Sequence, residues 1–177
     1  MSSIVISGDT SGAITLAAPA VSGTNTATLP AATGTVMVSG NMPAFSVYFG
    51  GSLTAISNNT YTKILYDTED FDTNNNFASN KFTPTIAGYY QLSWSANLYT
   101  AGTGEVATIL YKNGSAYKYF NDLNATNCWQ TGGSVLVYAN GSTDYFEVYC
   151  YQNTGSSKNL YPGQSGTWFT GAMVRSA

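Results

Sequence analysis

The chain has 177 residues, 8% of them charged, with six Lys and Arg against nine Asp and Glu and a formal net charge of -3. So few cations cannot neutralise many phosphates, which excludes nucleic-acid binding through a basic surface. No histidine is present, so Ser-His-Asp and Cys-His nucleophile systems and every His-containing zinc site are excluded, and two cysteines cannot close a zinc site by themselves. Ser, Thr, Asn, Gly and Tyr must therefore cover most of the surface. Such a surface suits packing against other protein, because few long charged side chains have to be immobilised or dehydrated.

The first 44 residues contain no aromatic; all 14 Tyr, eight Phe and three Trp lie after Ala44. A segment without large side chains cannot build a core of its own. This predicts an extended N-terminal attachment arm over residues 1–42 and one β domain over residues 43–177. Within the arm, Ile4 and Ile6, Ile14 and Leu16, and Val36 and Val38 stand two apart, which is strand spacing. Gly and Pro break these short β segments and leave sheet edges that a partner must pair. Ile4, Ile6, Ile14, Leu16, Leu29, Val36 and Val38 are the candidate anchoring residues. Fully extended, about 40 residues reach roughly 130 Å, enough to cross a neighbouring subunit. The first cation is Lys63, so the start lacks the basic region of a secretory signal, and no apolar run approaches the ~18 residues of a membrane helix. The expectation is a cytoplasmically made protein that does not insert into membranes.

From Phe45 onward, strand-like runs cover residues 44–49, 61–66, 80–85, 89–99, 106–111, 116–121, 128–138, 144–151 and 168–174, and nothing has helical spacing. Lys112-Asn113-Gly114-Ser115 and Ala139-Asn140-Gly141-Ser142 place Asn-Gly where type I′ hairpins need positive φ, and residues 100–104 read as a further hairpin turn. Antiparallel strands without helices leave a sandwich, a jelly roll or a barrel, of which an antiparallel jelly-roll sandwich is preferred. Cys150 alternates with Phe146 and Val148 and belongs to the core; it and Cys128 are expected as free thiols.

One acidic cluster exists: Asp67, Glu69, Asp70 and Asp72, within residues 66–76. It is a weak metal candidate, since it lacks the Gly and distal Glu of a helix-loop-helix calcium loop. It predicts a solvated loop, calcium being the single cation it could hold, and no other cofactor is implied. Tyr117, Tyr119, Trp129, Tyr149 and Tyr151 fall opposite or beside the apolar alternation. They are the candidate binding residues, with rings suited to sugar faces, partner proteins or subunit contacts.

The stretch Phe82-Thr-Pro-Thr-Ile-Ala-Gly88-Tyr89-Tyr90-Gln-Leu92-Ser-Trp94 resembles the globular head of complement subcomponent one-q, a family related to the tumour-necrosis-factor jelly roll. Phe82, Gly88 and Tyr90 fit the family spacing, while Leu92 and Trp94 replace its usual aromatics. Pro43-Ala44-Phe45, Tyr111-Lys112-Asn113-Gly114 and Trp168-Phe169-Thr170-Gly171 extend the resemblance over residues 43–177. It implies a compact homotrimer. The arm, from Ile14 to Val36, resembles connecting segments in virion fibre proteins of tailed bacteriophages. Together they imply a non-enzymatic virion surface protein assembled in the host cytoplasm, a trimeric knob held to other virion proteins by its arm. It would serve as a tail-fibre or adhesin component or as a capsid decoration protein, with a host surface glycan or protein as a further partner. The alternatives are a secreted lectin-like head and a carbohydrate-cleaving appendage, which needs a carboxylate pair about 5 to 9 Å apart beside a sugar cleft.

Overall fold

A computed structural model describes residues 3–21, 23–28, 31, 33–34, 36–51 and 55–177, with the backbone alone for residues 3, 101, 121–125 and 127–129. The chain divides into two compact units, Met1–Gly34 and Thr35–Ala177. In the first, strands β1 (Ser3–Ser7) and β2 (Ala13–Ala17) pair antiparallel, Ile4 opposite Leu16 and Ile6 opposite Ile14. The turn closes where Gly8 N donates to Gly12 O at 3.0 Å.

The second unit begins upstream of the aromatic seam because residues just before it are already bonded to the core. Met37 packs against the buried cluster, Asn74 Nδ2 donates to Gly40 O at 3.3 Å, and Met173 N donates to Pro43 O at 2.9 Å. After a 3-10 turn at Ser39–Asn41 come β3 (Ala44–Tyr48), β4 (Ala55–Ile56), β5 (Thr62–Lys63), β6 (Thr68–Asp72), β7 (Phe77–Ala78) and β8 (Lys81–Phe82). The 25-residue β9 (Gly88–Lys112) and β10 (Ser115–Ala139) follow, then β11 (Phe146–Gln152), β12 (Lys158–Asn159) and β13 (Trp168–Ser176).

The two long strands build both layers. The first half of β9 pairs with β13, which pairs with β3, which pairs with β6; the second half pairs with β11, whose far edge takes β5 and β8. β10 runs antiparallel beside β9 throughout, from Ser115 opposite Lys112 to Ala139 opposite Gly88. Its register slips repeatedly between Asp122 and Gln130, where the pair bends from one layer to the other. The result is an antiparallel jelly-roll sandwich, the expected fold class.

Period-two patterning fills the space between the layers. Tyr90, Leu92 and Trp94 from one half of β9 and Val106 and Leu110 from the other are buried, as are Phe146, Val148 and Cys150 of β11. Phe45 anchors one end of the core, with the rings of Phe82 at 4.2 Å and Phe169 at 4.9 Å. Gly88 is needed for close approach: a Cβ there would stand 2.4 Å from the Arg175 carbonyl oxygen of β13.

Several local readings are corrected. Residues 100–104 are not a turn but the extended crossing of β9 between layers, and Gly102 and Gly104 let it pass against Thr154 and Asn153. The Asn113-Gly114 turn has the expected positive φ of 54° and 77° and joins β9 to β10. Asn140-Gly141 does not close a hairpin; β10 and β11 flank β9 on opposite edges, and the 140–145 loop carries the chain from Ala139, opposite Gly88, to Phe146, opposite Lys112. The acidic run is largely strand, as β6 pairs with β3, with Phe71 opposite Ser46. An edge strand wet on both sides leaves no apolar alternation to read.

Candidate interaction surfaces

Pleating places Ile4, Ile6, Ile14 and Leu16 on one face of the N-terminal hairpin, since directly opposed residues share a face. They are 66, 55, 68 and 56% exposed. The opposite face carries Val5, Ser7, Ala13, Thr15 and Ala17. Four of the predicted anchoring residues thus come together. Val36 and Val38 lie exposed in the second unit instead, and Leu29 lies outside the described residues.

On the outer face of the second layer, Tyr119, Ile109, Tyr149 and Lys63 form one cross-strand row. Ile109 points away from the core, yet it is only 1% exposed, and Ala107 beside it is fully buried. Tyr119 and Tyr149 flank Ile109, and Tyr151 stands opposite Ala107. Tyr111 and Tyr149 stack with centroids 3.9 Å apart, and Tyr61 and Tyr151 stand 4.9 Å apart. Tyr119 OH donates to Glu105 Oε1 at 3.1 Å. Partial burial, then hydrogen bonding with Tyr61 and Glu105, pushes the Tyr119 hydroxyl well above its ordinary value. Partial burial does the same for Tyr111 and Tyr149, reinforced by neighbouring tyrosines and, for Tyr149, by Glu147. These hydroxyls remain neutral donors and acceptors. Lys63 Nζ and Glu147 Oε1 pair at 2.6 Å at the edge of the layer. Of the five predicted binding residues, Tyr119, Tyr149 and Tyr151 belong to this layer. Tyr117 lies exposed further along β10, under Lys118 Nζ, and the Trp129 side chain is outside the described residues. Sequence reading missed Tyr61 and Tyr111; their period-two phase with Lys63 and Ile109 was the available signal.

The outer face of the first layer is different. Ser134, Ser93, Thr170 and Ser46 form one row across four strands, and Leu136, Gln91, Ala172 and Ala44 the next. No charged side chain stands in either row. Leu136, Tyr138, Tyr89 and Val174 are exposed beside them, Tyr89 and Tyr138 with centroids 5.5 Å apart. This face is partly apolar and carries charge at its margins, where Asp70 accepts from Ser46 Oγ and Arg175 stands over the Tyr89 ring, a composition suited to burial against protein.

The acidic residues use their oxygens locally. Asp67 accepts from Gly50 N, Asp70 from Ser46 Oγ at 2.9 Å and from Gln164 Nε2, and Asp72 from Phe77 N at 2.6 Å. Among the described residues, no three His, Cys, Asp or Glu side chains gather as a metal-holding group. Among the described residues, no helix is long and apolar enough to cross a membrane.

These strands and faces define an antiparallel jelly roll. Solved structures agree. The globular domain of zebrafish complement 1qA is 17% identical with a TM-score of 0.57, covering 76% of this chain and 98% of its own. Murine APRIL is 10% identical with a TM-score of 0.58, over 75% and 99% of the two chains. PRD1 vertex protein P5 is 17% identical with a TM-score of 0.58, over 75% and 97%. No family model and no curated protein matches the sequence.

Proposed function

We propose that this chain is a non-enzymatic structural protein of a virion surface, a homotrimeric jelly-roll knob held to the particle by its N-terminal arm. The observation that carries the reading is the division of labour between the units. One unit has a buried core and a first-layer face low in charge that fits subunit contacts; the other, among its described residues, is a hairpin with exposed side chains and open strand edges. Open edges recruit partner strands by main-chain hydrogen bonding. Three arms per knob make the second and third attachments intramolecular, so weak pairings sum to firm anchoring. The tyrosine layer remains outward on the knob for host glycan or protein. Likeness of fold to a vertex protein favours a shell position over a tail fibre.

Mass measurement in solution tests the trimer: three chains per particle are expected, and a stable monomer would overturn it. Deleting residues 1–34 should leave the trimer folded and abolish incorporation into particles. Immunogold labelling of virions then assigns the place, with gold over the shell for decoration and gold on the tail for a fibre.

A further inference from the structure

The aliphatic face of the N-terminal hairpin needs a cover, since a two-stranded hairpin with one exposed apolar face is marginal in water. We propose that the three hairpins of one trimer close their Ile4, Ile6, Ile14 and Leu16 faces on one another, forming a six-stranded apolar-cored bundle; this rests on the trimer reading given above. Three observations select other copies of this chain as the occupant.

First, the face is composed for self-packing. Ile4 opposes Leu16 and Ile6 opposes Ile14, so every position on it is aliphatic and none needs a hydrogen-bond partner. Second, the hairpins do not repel. Asp9 is the one charged side chain before Lys63, and it sits in the turn beyond the paired residues. Third, the tether is short. Residues 18–43 join β2 to β3, so each hairpin meets its two copies at an effective concentration in the ~mM range once the knobs have assembled. Nothing on the face matches a partner of particular charge or shape. The backbone edges of β1 and β2 stay open in such a bundle, so arm docking by strand addition is compatible with it.

The test uses the full-length protein carrying Cys128→Ser, which leaves Cys150, buried in the core, as the other native thiol. Ile14→Cys places a thiol on the aliphatic face, and Thr15→Cys places one on the opposite face. Each variant is first sized in solution and then treated with a short bis-maleimide. The expected result is a trimer in which Ile14→Cys links up to about two thirds of the chains as dimers, one link per threefold set, while Thr15→Cys links few. A trimer in which both positions link equally, or neither links, overturns the inference and leaves the trimer standing; absence of linkage in pure protein would mean that the face waits for a different protein. A monomer by mass overturns the trimer reading and the bundle with it.

Discussion

Trp94 Nε1 donates to Thr108 Oγ1 across 2.9 Å in the buried interior, and both residues belong to the same strand. Trp94 lies in the half of β9 that pairs with β13 and Thr108 in the half that pairs with β11, so one strand folds over and bonds to itself through the core. Thr108→Val keeps the shape and removes the acceptor, leaving a buried indole N–H unpaired. A loss of about 1–3 kcal/mol in unfolding free energy is expected. The double variant with Trp94→Phe should lose less than the two single losses added together, measured by urea unfolding as a double-mutant cycle.

Asp144 ties the 140–145 loop to the β9–β10 turn. Its carboxylate pairs with Lys112 Nζ at 2.9 Å and accepts from Asn113 Nδ2 at 2.8 Å and Asn140 N at 3.0 Å. Burial alone would raise its pKa, but these donors outweigh it and hold the carboxyl below its ordinary range. A depressed folded-state value contributes stability above the unfolded value and loses it as pH falls through the folded one. Wild-type protein should therefore lose this contribution below about pH 4. Asp144→Asn should be less stable at neutral pH and flatter along the acid limb, read from urea midpoints across the pH range. An acid limb identical to wild type would contradict the assignment.

Tyr66 is buried against Phe77 and Phe169, and its hydroxyl has no hydrogen-bond partner among the described residues. An unpaired buried hydroxyl is a cost, not a contribution. Tyr66→Phe should leave thermal stability unchanged or raise it by up to about 1 kcal/mol. A clear loss would show that the hydroxyl is satisfied.

Cys150 is fully buried beneath the second layer, and burial pushes its thiol up to about 12. Because the thiolate is the reactive species, a thiol reagent at about pH 8 should not label Cys150 in folded Cys128→Ser protein and should label it fully in denaturant. Rapid labelling of the folded protein would mean that the core opens at this strand.

Much of this architecture was legible in the residues. Period two named the buried faces: Tyr90, Leu92 and Trp94, then Phe146, Val148 and Cys150, are all core. The Asn113-Gly114 turn followed from the positive φ that those residues tolerate. These features are local, since pleat and turn chemistry are set by side chains a few positions apart. Which strands become neighbours is a matter of long-range register, and that was decided only in the folded chain. The crossing at residues 100–104, the pairing of the acidic edge with β3, and the gathering of Tyr61 and Tyr111 with Tyr119, Tyr149 and Tyr151 all join residues far apart in sequence. The hairpin shows both levels at once. Spacing alone put Ile4 with Ile6 and Ile14 with Leu16, whereas cross-strand pairing set the two pairs on a single face.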